Sequence, residues 1–103
     1  MKPLETELEK KVCRWAKQNG VLQSKLKIEG RRGWPDRAFW LPGGPLMIEF
    51  KRAGEEPTKL QHYIHTSLRK QGYDVRWTDN YEVAIRWLEE FRYWRGSKPA
   101  APA

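Results

Sequence analysis

Residues 37–41 (RAFWL) and 46–50 (LMIEF) are two short apolar runs joined by Pro-Gly-Gly-Pro, residues 42–45. Apolar runs on either side of a glycine pair specify a β-hairpin. Gly43 and Gly44 are expected to form a two-residue turn, because that turn needs positive φ at both central positions and glycine reaches it without steric penalty. In this register Pro42 faces Pro45, Ala38 faces Glu49 and Asp36 faces Lys51. Strand side chains alternate with a period of two, so Asp36, Ala38, Trp40, Met47, Glu49 and Lys51 share one side of the hairpin. Phe39, Leu41, Leu46, Ile48 and Phe50 share the other, which is apolar apart from Arg37 at its end. A one-residue slip would scramble that separation.

The polar side carries chemistry. Glu49 and Lys51 are expected ~6.5 Å apart along their strand, from a rise near 3.3 Å per residue, with Asp36 within reach of both. Two carboxylates and an ammonium at that separation can hold a divalent cation through the acids. The lysine can then orient or deprotonate a water, or stabilise charge developing on a phosphate. Taken alone, Glu-Phe-Lys is an ordinary solvated strand end, and an opposite-charge cross-strand pair contributes only ~0.2–1 kcal/mol. Its co-location with Asp36 argues for a site, as does the stretch Gly33-Trp34-Pro35. Gly33 is a pivot, Trp34 is extended before proline, and Pro35 has φ near −65°, so this stiff lead-in aims Asp36 inward. Arg31 and Arg32, with Lys25 and Lys27 nearby, are placed to meet phosphates beside such a metal.

The remaining segments read as helices and strands around this hairpin. Leu4, Leu8, Val12 and Trp15 form one stripe of a helix over residues 3–19, stopped by Asn19-Gly20. Residues 21–28 alternate loosely and read as a strand. Pro57 fits the first turn of a second helix that ends at Gly72. Residues 73–78 form a final strand, and Asp79 or Asn80 caps a third helix whose stripe is Val83, Trp87, Phe91 and Trp94. The order is αβββαβα. With 103 residues the chain has room for one core, assigned to residues 1–95, and the small, Pro-rich residues 96–103 are expected to be a flexible tail.

A net charge of +7 on so short a chain favours a polyanionic partner, nucleic acid first. The single cysteine, Cys13, can form no internal disulfide and reads as a buried thiol rather than a nucleophile, which fits a reducing intracellular compartment. With no apolar stretch of membrane-spanning length or signal-peptide type, the protein is expected to be soluble and cytoplasmic. His62 and His65 lack a third ligand at suitable spacing and are expected to face solvent or DNA.

The segments LETELE, GRRGWPDR, LPGG, IEFKR, PTKLQHY and GYDVRWTDNYEVAI, spread in order over residues 4–90, resemble the VRR-NUC branch of the PD-(D/E)XK nucleases. The likeness is greatest to the minimal stand-alone versions carried by phages and bacteria. The resemblance implies a single restriction-endonuclease-like domain of α+β (α/β) class, with a mixed central sheet flanked by helices. It implies a Mg2+- or Mn2+-dependent endonuclease that hydrolyses DNA phosphodiesters in branched, flap, Holliday-junction or duplex DNA, and a homodimer. By position, Asp36 and Glu49 would bind the metal with the Phe50 main-chain carbonyl, Lys51 would be the catalytic lysine and Gln61 a supporting residue. An acid of the first helix also belongs to such a site, and Glu5, Glu7 and Glu9 compete for it. With the stripe centred on Leu8 and 100° per residue, Glu5 lies about 60° from the centre and the other two about 100° to either side. Glu5 also matches the first acid of the family's opening pattern and is the expected member. Trp34 departs from the smaller residue of many relatives, which bears on substrate shape.

Two other functions fit the same charge. A non-catalytic basic module would grip DNA or RNA for a larger assembly. A sequence-specific restriction enzyme would need base-reading elements for which 103 residues leave little room.

Overall fold

The computed structural model describes residues 4–26 and 32–93. The chain runs α1 (Glu5–Gln18), β1 (Leu22–Lys25), β2 (Arg37–Leu41), β3 (Gly44–Phe50), α2 (Lys59–Lys70), β4 (Asp74–Thr78) and α3 (Tyr81–Arg92), the expected order. The strands make one mixed sheet, β1-β2-β3-β4. The first two pairings are antiparallel and the last is parallel. Antiparallel neighbours close through tight turns, whereas a parallel pair needs a crossover, which α2 supplies. Among the described residues no helix is long and apolar enough to cross a membrane.

The hairpin register differs from the expected one by two residues. Its turn is Pro42-Gly43, with Leu41 paired to Gly44, Trp40 to Pro45, Ala38 to Met47 and Arg37 to Ile48. Proline at the first central position cannot take the positive φ of a primed turn. Gly44 (φ 110°), and not Gly43, has the positive φ, so the left-handed residue follows the turn instead of lying within it. The Gly43 N–H is tied to the Phe91 carbonyl at 2.9 Å, which holds the turn against α3. A shift of two leaves every side chain on its expected face. It also moves Asp36 from opposite Lys51 to opposite Glu49.

The apolar face of the hairpin is the core. Phe39, Leu41, Leu46, Ile48 and Phe50 pack with Val12 and Ala16 of α1 and with Ala84, Leu88 and Phe91 of α3. Fully burying a large apolar side chain contributes roughly 1.5–3 kcal/mol, so these contacts dominate stability. The buried stripe of α3 is rotated from the expected one, with Val83 and Trp87 half-buried. The Arg76 guanidinium lies over the Trp87 and Phe91 rings at 5.3 and 5.2 Å, which gives Trp87 a polar neighbour at the rim of the core. Trp94 and the tail lie outside the described residues.

The polar face is covered in part by α2. Pro57 stands before this helix instead of in its first turn, because Thr58 is the N-cap. Thr58 Oγ1 accepts from the Gln61 N–H at 3.2 Å, and Gln61 Oε1 accepts from the Thr58 N–H at 2.9 Å, a reciprocal capping box. For α3 the cap is Asn80, whose Oδ1 accepts from the Val83 N–H at 3.1 Å. Asp79 instead receives the Gly54 N–H at 2.9 Å. The lead-in to β2 docks on α2 at Gly33, which has φ 87°. A Cβ there would lie 3.0 Å from Leu60 Cγ, 3.1 Å from Ile64 Cγ1 and 3.2 Å from the Leu60 carbonyl oxygen.

Of the two histidines of α2, His62 is exposed as expected, but His65 is fully buried. The helix brings every fourth residue to one side, and His65 follows Gln61 on the side that meets the sheet. Neither ring nitrogen of His65 has a hydrogen-bond partner among the described residues. Burial, then the charges of Arg69, His62 and Lys51, hold its pKa down at about 4.

Two outcomes follow for stability. Gly33→Ala is expected to destabilise the fold by about 1–3 kcal/mol, because it combines a left-handed φ with contact against α2; chemical denaturation measures it. The folded pKa of His65 lies below its unfolded value of 6.5. Its contribution is therefore present above pH 6.5 and lost as pH falls through 4, up to about 3 kcal/mol. The stability difference between wild type and His65→Leu should shift against wild type over that interval, and a pH-independent difference would refute the assignment.

Candidate active site

Continuing the β2–β3 register past Arg37 and Ile48 places Asp36 and Glu49 across from one another at the end of the ladder. Two contacts fix Asp36 there. Its main-chain N–H donates to the Ile48 carbonyl at 3.1 Å, and its Oδ2 accepts the Phe50 N–H at 2.8 Å. Glu49 is 4% exposed. Its Oε2 accepts from Gln61 Nε2 at 3.2 Å and lies 3.8 Å from Lys51 Nζ. The capping box occupies the other end of the Gln61 amide, so this side chain is oriented before it meets Glu49. Glu49 Oε1 is buried with no hydrogen-bond partner among the described residues.

The electrostatics follow from burial. Desolvation, followed by the charge of Asp36, pushes the Glu49 carboxyl up to about 8, against the pull of Lys51. Asp36 is also raised, by burial first, with the Phe50 N–H opposing and Glu9 adding to the rise. Two acids this close cannot both ionise without a counter-charge. Even with Lys51 beside Glu49, the pair favours holding a proton between its two carboxyls.

A buried carboxylate oxygen without a partner, facing a second acid, is the donor arrangement a hard divalent cation requires. Among the described residues no group of three His, Cys, Asp and Glu side chains could hold a metal. A site of two carboxylates suits Mg2+, which binds through one or two carboxylates and fills its octahedron with water and substrate oxygens.

Among the acids of α1, Glu9 is the one whose charge acts on both Asp36 and Glu49. Glu5 and Glu7 are exposed in the first turn. The flank of the helix, rather than the centre of its apolar stripe, faces this corner of the sheet. Glu9 is anchored there by Arg37 Nε at 2.5 Å, while Arg37 Nη1 donates to Gln23 Oε1 at 2.6 Å. Arg37 was legible as the one charge on an otherwise apolar strand face, and that oddity marks its ion pair. Threonine three residues before Gln61 likewise announced the capping box.

The cations expected to meet phosphates are divided. Lys25 and Arg32 are described and exposed, while Lys27 and Arg31 lie outside the described residues. Trp34 is half-buried, and Pro35 behind it is fully buried. Cys13 is half-buried and not enclosed, because it lines a groove between α1 and β1. Its thiol is pushed up by desolvation, with Arg37 opposing, so only a small fraction is thiolate at neutral pH.

No family model matches the chain. It is 33% identical over 81 residues to "Putative nuclease p44" of Acyrthosiphon pisum secondary endosymbiont phage 1, an alignment covering 78% of this chain and 87% of that protein. A solved structure described as "VRR_NUC domain" is 28% identical, with TM-score 0.73 over 87% of this chain and 97% of its own. A second, "VRR_NUC domain protein", also reaches 0.73 over 96% and 98%, and at 18% identity it speaks for the fold alone. The likeness spans most of the length of each relative: the chain belongs to the VRR-NUC family of nucleases.

Proposed function

We propose that this protein is a metal-dependent deoxyribonuclease, with Mg2+ or Mn2+ held by Asp36, Glu49 and the main-chain carbonyl of Phe50. The observation that carries the reading is the buried carboxyl of Glu49 beside that of Asp36, with Lys51 Nζ 3.8 Å from one Glu49 oxygen. When bound, the divalent ion would supply charge stabilisation at the phosphate and a more acidic water. The chain's own residues supply the positioning. The Phe50 N–H sets the rotation of Asp36, and Gln61, locked by its cap, sets that of Glu49. Such outer contacts orient metal-binding carboxylates. Lys51 is placed to orient the attacking water and to donate to the phosphate. Glu9, clamped by Arg37, borders the site in place of Glu5 and adds negative charge that favours a cation.

The substrate is proposed to be branched, flap or junction DNA, within a bacterial or phage-infected cytoplasm. The exposed Lys25 and Arg32 flank the acids to meet its backbone. A homodimer is proposed as well. Leu22 and Trp40 are cross-strand partners and are 75% and 48% exposed on the outer half of the sheet, a surface suited to a second copy. Sedimentation should give a dimer that Trp40→Glu converts to monomer, and a monomeric wild type would dismiss pairing.

A panel of labelled duplex, flap and four-way DNA incubated with Mg2+, Mn2+ or chelator tests the activity. Cleavage is expected with either metal and none with chelator. Glu49→Gln is expected to lower the rate at least about 10²-fold, Lys51→Ala by about 10²–10⁴, and Gln61→Ala by about 10–100. DNA affinity should stay nearly unchanged in each. Metal at about 100 times its Kd should stabilise wild type by about 2.7 kcal/mol, or roughly 10–20 °C in Tm, and leave Glu49→Gln unmoved. DNA binding without cleavage under every divalent metal would make the protein a binding module instead.

A further inference from the structure

A groove of about 610 Å³ runs between α1 and β1, lined by Lys10, Arg14 and Lys17 together with Cys13, Gln23 and Arg37. Among the described residues no carboxylate lines it. Arg37 is already paired, with Glu9. The other three cations are exposed and sit at i, i+4 and i+7, on one side of the helix over about 10 Å of its axis. Like charges at that spacing repel and weaken a helix, so the row has a cost that solvation alone does not explain. The helix dipole does not explain it either. That effect is confined to the last turn, where Lys17 is the basic residue, while Lys10 and Arg14 lie further back.

The groove adjoins the candidate active site. The Glu9–Arg37 pair is the wall between them: Arg37 lines the groove, and Glu9 acts on Asp36 and Glu49. The charge of Lys25, on β1, is also felt at Cys13 inside the groove. Lys25 is the cross-strand partner of Arg37, so a further cation stands at the sheet edge where the groove meets the Glu9–Arg37 pair. One strand of duplex DNA presents a phosphate every ~3.4 Å of axis, so about three fall within the length of the row.

We propose that this groove is a second phosphate track, in which Lys10, Arg14 and Lys17 hold the backbone of a DNA arm outside the cleavage site. The inference rests on the nuclease reading but concerns a surface that the chemistry does not use. The DNA that is cut is thus gripped on both sides of the Glu9–Arg37 wall.

The test is the salt dependence of binding to a labelled duplex in chelator, where no cleavage occurs. The triple variant Lys10→Gln, Arg14→Gln, Lys17→Gln should reduce the slope of log Kd against log salt by about 3. Between about 50 and about 200 mM salt it should then lose roughly 60-fold less affinity than wild type. Lys10→Arg with Lys17→Arg should keep the wild-type slope. Removing Lys59 and Lys70 from α2 should change it by less than about 1. Bound DNA should also slow maleimide labelling of Cys13, the one cysteine of the chain. If wild type binds and cuts DNA while the triple variant keeps its slope, or if Cys13 labels at the same rate with DNA bound, the track is refuted and the nuclease reading survives. A wild type that binds no DNA refutes both.

Discussion

Buried Glu49 and half-buried Asp36 are acids that meet at the end of the β2–β3 ladder, and the elements around them hold them there. Two like charges in a desolvated corner repel, and without a counter-ion one of them holds a proton. Three parts of the chain oppose that cost with directed contacts. The β3 backbone gives an N–H to Asp36, α2 gives an amide to Glu49, and Lys51 stands just beyond. The amide works because the α2 cap has already used its other end. A helix N-terminus thus serves as the mount for a side chain that touches the acid.

This arrangement depends on a division of the sheet. The face bearing Phe39, Leu46, Ile48 and Phe50 is sealed by α1 and α3 and carries the hydrophobic stability. The other face mixes Ala38, Trp40 and Met47 with the acids and Lys51, and α2 lies across part of it. The Gly33 contact lets the lead-in to β2 press against α2, so that Asp36 and Gln61, from distant parts of the sequence, share one corner. Stability and chemistry are placed on opposite sides, and a change on one side need not disturb the other.

Charge is arranged with the same economy. A protein of net charge +7 holds three acids, Asp36, Glu49 and Glu9, at its proposed catalytic corner, with Arg37 on Glu9, Lys51 beside Glu49 and Lys25 across from Arg37. On the proposed reading, the outer cations would draw in a polyanion over distance and a divalent cation would bridge its phosphate to the acids. Helix α1 contributes to both, turning Glu9 toward the corner while Lys10, Arg14 and Lys17 line the groove beyond.

Local pattern determined which side of the sheet each residue would take. The period of two put Asp36, Glu49 and Lys51 together and the aromatic residues opposite. That assignment survived a register two residues off, because an even shift preserves faces. The element order, the stops at Gly20 and Gly72, and the Asn80 cap were legible for a similar reason: each depends on a few adjacent residues. Tertiary structure decided what adjacency cannot encode. Pro42 and the Phe91 carbonyl set which residues turn the hairpin, and so put Glu49 rather than Lys51 opposite Asp36. How α1 is rolled against the sheet brought the charge of Glu9 to bear on Asp36 and Glu49 and left Glu5 exposed, and the docking of α2 buried His65 while leaving His62 exposed. The position of a residue within its own helix or strand follows from backbone geometry, but the rotation of one element against another is settled by packing among residues far apart in the chain.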